Sequence, residues 1–227
     1  MGELFTAEFW DYFSPLLLTG TRDTLVMTVV STVFAYLLGL PLGVLLVLTG
    51  DHGICPHQTL NRCVGWVINV GRSLPFIIFM VCVMPFTKIL VGTKIGVLGA
   101  IPPLVISAAP FIARMVETSL SEVDAGVVEA AQSMGASTFQ IVWKVYLPEA
   151  LPSLILGGSI SIITILAYTA IAGAIGAGGL GDLAIRYGYQ RREPAKMWVA
   201  AVLLIVLVQV IQSVFSRVSN RIDKRLK

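Results

Sequence analysis

The chain has 227 residues, 56% of them hydrophobic and 13% charged, with a mean hydropathy of +0.85. A soluble domain carries about 25% charged residues, so a soluble globular protein is excluded and a polytopic membrane protein is indicated. The net charge of +3, from 16 basic and 13 acidic residues, is too mild to point to nucleic acid as a partner.

The N-terminal stretch holds Glu3, Glu8 and Asp11 and no early Lys or Arg, which speaks against a cleaved signal peptide. Phe5, Phe9, Trp10 and Phe13 suit the apolar face of a short interfacial helix. A first span is expected over 24–48, where Gly39, Pro41 and Gly43 mark a kink or a packing face. A short polar segment follows. Its His52, Cys55, His57 and Cys63 match no standard zinc spacing, so no metal is expected. A second span is expected over 64–86, interrupted by Arg72 and Pro75. Arg72 either faces a cavity or snorkels at the interface. A third span is expected over 96–116, with Arg114 and Glu117 placed to pair at its end.

A polar helical insert then occupies 117–150. Ser121-Glu-Val-Asp124 has capping-box form, and Val127, Val128, Ala131 and Met134 follow at helical spacing. Gly135 fits a left-handed helix cap. Ser137-Thr-Phe-Gln140 is a second capping box, and Phe139, Val142, Trp143 and Tyr146 form an apolar stripe. Pro148 and Pro152 suit the first turn of the next helix. Two short helices joined at a glycine cannot cross a bilayer, so they lie at its surface. They either pack on their own bundle or face a partner.

A fourth span is expected over 151–175. Its Thr164, Tyr168 and Thr169 supply hydroxyls for a solute pathway or for bonds back to the helices. The glycines of the following GAIGAGGLG break that helix, and a fifth span is expected over 197–215. Arg217, Arg221, Lys224, Arg225 and Lys227 close the chain as a basic tail suited to anionic headgroups. With that tail inside, basic residues divide eight inside to seven outside, a weak preference carried by the tail. The fold class is therefore all-α: a single membrane domain over 1–227, a bundle of about five transmembrane helices with one surface hairpin. No G-x-x-x-x-G-K-[ST], H-E-x-x-H or G-x-S-x-G occurs, so the chain is not expected to be an enzyme.

Glu129-Ala130-Ala131, Gly135, Val145 and Leu147-Pro148 resemble the EAA loop of permease subunits from ATP-binding-cassette importers, with Val145 at the usual isoleucine position. The strings at 69–96, 108–117, 147–158 and 174–191 are similar to the methionine-uptake branch of that family. The resemblance implies an importer permease for D- or L-methionine whose hairpin docks into a separate ATPase. It implies that Glu129, Ala130, Ala131, Gly135, Val145, Leu147 and Pro148 do the coupling, with Phe139 and Trp143 packing the hairpin on the bundle. Further expectations are a homodimer, two ATPase subunits holding ATP and Mg²⁺, a substrate-binding lipoprotein and surrounding lipid, with no cofactor in this chain. Hairpin and C-terminus would lie in the cytoplasm of a bacterial inner membrane, with the N-terminus outside. The alternatives are an importer permease for another small amino acid, or a stand-alone channel or secondary transporter.

Overall fold

The computed structural model describes residues 7–222, and these are helical with no strand. Phe5 and the tail residues Lys224, Arg225 and Lys227 lie outside the described residues. The helices are α1 (Ala7–Thr49), α2 (Gln58–Ser73), α3 (Phe76–Val91), α4 (Gly96–Ser121) and α5 (Ala125–Ser133). Then come α6 (Thr138–Ile141), a π-helical stretch π1 (Val142–Tyr146) and α7 (Leu147–Glu149). The chain continues with α8 (Leu151–Ala172), π2 (Gly173–Ala177), α9 (Gly179–Asp182), π3 (Leu183–Gln190) and α10 (Pro194–Ile222).

α1, α4, α8 with π2, and α10 are each long and apolar enough to cross a membrane. The broken pair α2 and α3 brings the total to five if it counts as one span. The expected second span is thus interrupted at Leu74-Pro75, where α2 ends in extended backbone and Pro75 precedes α3. Proline disfavours the helical conformation of the residue before it. Arg72 falls in the last turn of α2 and is exposed, where the helix dipole favours a cation. The separate interfacial helix expected at the N-terminus is not found. α1 is one helix of 43 residues, roughly 64 Å at the usual rise and about twice what a bilayer core requires. Aromatic residues placed at its start do pack, with Phe9 and Phe13 buried beside Ala195.

Two compact units share these helices. Unit 1 comprises Met1–Phe34, Pro75–Ser107 and Ile162–Ile211. One of its clusters joins Met27, Phe76, Met80, Leu104 and Ala172, with the Tyr168 ring stacked on Phe76 at 4.4 Å. A second cluster holds Leu180, Leu183 and Ala200. Lys196 is buried beside Phe13, paired with Glu193 and set over the Tyr12 ring at 4.7 Å. A buried ammonium is tolerated because both its charge and its apolar stem have partners.

Unit 2 comprises Ala35–Leu74, Ala108–Ser161 and Gln212–Lys227. Leu46, Ile68 and Ala113 form its core, with Leu42 and Val64 against them. Gly39 and Gly43 let α1 approach α4 closely. A Cβ on Gly43 would stand 2.6 Å from the Ala113 carbonyl oxygen and from the Val116 Cβ. Small hydroxyls add polar contacts: Tyr36 Oη donates to Ser161 Oγ at 3.5 Å, and Ser219 Oγ donates to the Pro152 carbonyl at 3.1 Å. Lipid supplies no hydrophobic drive for helix association, so close backbone approach and such bonds carry it.

Overpacking a tight helix contact costs about 1–3 kcal/mol. Gly43→Val is therefore expected to lower the thermal unfolding midpoint of the detergent-solubilised protein by several degrees. Gly92→Ala, at an open left-handed position with nothing near its Cβ, should lower it less. A fluorescence-detected melting series checks the order.

Candidate functional site

The hairpin of unit 2 is built from α5, α6, π1 and α7. Asp124 caps α5, its carboxylate accepting from the Gly126 amide at 2.7 Å. The capping box expected at Ser121 is corrected: Ser121 is the last residue of α4, and its hydroxyl donates to the Glu117 carbonyl at 2.8 Å. A residue still bonded within one helix cannot cap the next. At the far end the Gly135 amide donates to the Gln132 carbonyl at 2.9 Å and the Ala136 amide to the Ala131 carbonyl at 3.1 Å. With φ of +78° at Gly135, this is the Schellman arrangement that ends a helix in a left-handed glycine. Ser137 and Gln140 then form a reciprocal capping box.

The apolar stripe is where helical periodicity misleads. Phe139 is 70% and Trp143 59% exposed, with ring centroids 6.1 Å apart, so in this chain they do not fasten the hairpin inward. The buried residues are instead Ile141 and Tyr146. The cause is the π-helical turn of 142–146, in which the Leu147 amide donates to the Val142 carbonyl. Bonding to the fifth residue back widens the turn, so residues five apart share a face. Pro148 explains why it forms here: its ring would clash with the carbonyl four residues earlier in a regular α-helix. Burial pushes the Tyr146 phenol up from its ordinary value.

Of the coupling residues, Glu129, Ala130, Gly135 and Pro148 are exposed, Val145 and Leu147 are half-buried, and Ala131 is buried. Glu129 lines a cavity of about 460 Å³ with Asp51, His52, Asn61, Glu117 and Tyr146. Behind it Arg114 donates to Glu117 at 2.6 Å, as its spacing leads one to expect, and also to Asn69 Oδ1 at 3.0 Å. The His52–Cys63 segment caps α2 and touches the hairpin. His57 Nδ1 accepts from the Leu60 amide at 3.2 Å as the cap of α2, and Cys55 Sγ lies 3.6 Å from Thr138 Oγ1.

In unit 1 the pathway residues are separated in role. Tyr168 is stacked on Phe76, Thr164 is half-buried, and the buried Thr169 hydroxyl donates back to the Leu166 carbonyl at 2.7 Å. The expected glycine break is present beyond them. Gly176, Gly178 and Gly179 have φ of +93°, +83° and +79°, and Gly173 passes so close to the Asp182 backbone that a Cβ would collide. The turn borders a second cavity, of about 480 Å³, lined by Asp23, Val97, Asp182, Ile185, Arg186 and Gln190 among others. Sequence reading passed over Asp182 and gave Arg186 no role. Their i, i+4 spacing was the available signal: Arg186 donates to the buried Asp182 carboxylate at 2.6 Å, and that bond raises the Arg186 pKa further.

A family model described as "binding-protein-dependent transport system inner membrane component" matches residues 39–227. The chain belongs to this family. It is 49% identical over 219 residues to a probable D-methionine transport system permease protein, MetI, of Vibrio cholerae, covering 96% of this chain and 97% of that one. It is 46% identical over 181 residues to the methionine import system permease protein MetP of Bacillus subtilis, covering 80% and 82%. Among solved structures it resembles a chain of the MetNI methionine ABC transporter in inward-facing conformations, with a TM-score of 0.92, 46% identity and coverage of 93% and 98%. As a member of this family the chain is a multi-pass inner-membrane transport component.

Since open space surrounds Gly135, substitution there is governed by backbone conformation alone. Gly135→Asn is expected to be tolerated and Gly135→Ala to destabilise the hairpin by about 1 kcal/mol. Gly135→Val should be worse still. Hydrogen exchange of the amides over 125–150, compared among the three variants, checks this ranking.

Proposed function

We propose that the chain is the membrane-spanning subunit of an ATP-driven importer of methionine, coupled through its hairpin to a separate ATPase. The reading rests on one observation above others: over nearly the whole chain, its fold and sequence resemble those of proteins named as methionine permeases. The insert is short, capped at every turn and exposed, which suits a rigid plug held in a partner's cleft. We assign ATP and Mg²⁺ to that partner and no cofactor to this chain.

In this reading Glu129 engages the ATPase cleft, Ala130 and Ala131 allow close approach, and Gly135 sets the turn. Val145, Leu147 and Pro148 join the hairpin to α8, which carries the motion into the membrane. Phe139 and Trp143, exposed here, become contacts for the partner, since exposed aromatics are the usual anchors of an interface. Closure of two ATPase subunits would then bias the permease between inward-open and outward-open states. Five spans are few to enclose a solute path, so two copies would share it as a homodimer, the whole chain acting as one transport domain. The path is assigned to the Thr164 and Tyr168 region of α8, with Thr169 supporting it. A substrate-binding lipoprotein would deliver methionine.

The hairpin and the basic tail are placed in the cytoplasm and the N-terminus outside. The segment that follows the fourth span then emerges on the side from which substrate arrives.

Two measurements test this reading. Vesicles holding the permease, its ATPase partner and the binding protein are expected to accumulate labelled methionine only with ATP, and omission of the ATPase should abolish uptake. Gly135→Asp should lose ATP-dependent uptake, or the bound ATPase, while still inserting in the membrane. Normal uptake by that variant, or gradient-driven uptake by the permease alone, would contradict the coupling role.

A further inference from the structure

We propose that the unit 1 cavity beside the glycine turn is a recognition site for the charged head group of a free α-amino acid. The proposal rests on the importer reading and adds to it a substrate subsite in the permease itself. Its volume, about 480 Å³, falls within the ~300–1,000 Å³ usual for small-molecule sites. Three features of its lining point to a zwitterion.

The first is an unpaired anion. Asp23, on α1, is half-buried and makes no hydrogen bond or ion pair with any described residue. One of its carboxylate oxygens lies 3.7 Å from where a Cβ on Gly178 would stand, so the absence of a side chain at Gly178 leaves Asp23 open to the cavity. Half-buried and facing the cavity, this carboxylate is free to pair with an ammonium group, with which it would form a charge-assisted hydrogen bond.

The second is a cation with donors to spare. Arg186 satisfies Asp182 through Nη2 and is held over the Tyr187 ring at 4.9 Å, yet its side chain remains 56% exposed. Its other N–H groups can take a carboxylate, which a planar guanidinium binds through two parallel bonds. Since Asp182 is already matched by Arg186, the charge left over in the cavity is that of Asp23. The site therefore offers a separate partner to each end of an amino acid.

The third is an apolar wall. Val97, Ile175 and Ile185 line the same cavity, which suits an aliphatic or thioether side chain. With Asp182 engaged by Arg186, a metal cation would find only the Asp23 carboxylate free and a simple anion only the spare Arg186 donors, whereas a zwitterion uses both.

The test uses the assembled permease and ATPase in detergent, without the binding protein, and labelled L-methionine as the probe. Two competitors are compared: the analogue with hydroxyl in place of the α-amino group, and the analogue lacking the carboxylate. The wild-type complex is expected to bind methionine, with each analogue competing at least about tenfold more weakly. Asp23→Asn should weaken methionine binding about tenfold and remove its advantage over the hydroxy analogue. Asp23→Glu should recover part of both. Asp11→Asn, at an exposed position on the same helix, should change neither.

Unchanged affinity and unchanged discrimination in Asp23→Asn would overturn the proposal. So would equal competition by methionine and both analogues in the wild type, a result that decides the matter even if the variant fails to assemble. Methionine uptake by the wild-type complex with its binding protein, measured in parallel, separates this from the importer reading. If uptake is normal and the site fails, only the subsite is lost. If a different amino acid is transported, that amino acid and its own two analogues replace the methionine set.

Discussion

Backbone hydrogen bonding in lipid is the constraint on which this structure depends. No water is present in the hydrocarbon core, so each amide and carbonyl must be satisfied within its own segment, and only helix is allowed across most of the chain. Departures from regular helix are then confined to a few places. Four of them fall at Leu74-Pro75, at Met134-Gly135, at the π-helical turn before Pro148 and at the glycines 176–179. Each is made possible by a residue that lacks a side chain or an amide proton. Two of them border the two cavities, so the positions that release the backbone from helix also create the surfaces where chemistry can occur.

Within unit 2 this logic produces a rigid hairpin. A carboxylate cap, a Schellman turn and a reciprocal capping box follow one another between Asp124 and Gln140, leaving few helix ends unsatisfied. Such ends are a known liability of short helices, and isolated helices of this length are marginal in water. The hairpin holds shape through its caps and through the burial of Val128, Ala131, Ile141 and Tyr146. A stiff element is what a lever requires. Unit 1 shows the contrasting design, in which three consecutive-turn glycines let α9 return against α8 and leave room for a polar cavity.

Much of this was legible in the sequence. The spans, the left-handed Gly135, the Ser137 capping box and the Arg114–Glu117 pair follow from local rules that tertiary structure did not override. The failures have physical reasons. Phe139 and Trp143 lie on the exposed face of this chain, while Ile141 and Tyr146, five apart across the π-helical turn, are the residues that bury. The cap of α5 moved from Ser121 to Asp124 because α4 continues further than its apolar run. The N-terminal aromatics were read as a separate interfacial helix, although nothing between them and the first span breaks a helix once Pro15 is accommodated. The charged cavity was missed because Asp23 and Arg186 lie 163 positions apart in the sequence, and local patterns cannot bring such residues together.

The central claim is that the hairpin tip is held by an ATPase subunit and moves with it. Met134, 82% exposed beside Gly135, provides the most direct probe. A cysteine placed there, with Cys55, Cys63 and Cys82 replaced, can be cross-linked to single cysteines in the ATPase cleft while the complex transports. The account requires efficient cross-linking whose yield changes between the nucleotide-free and ATP-bound complex, and loss of uptake when a rigid cross-linker fixes one state. A transporting complex in which position 134 reaches no ATPase cysteine, in either state, would contradict it.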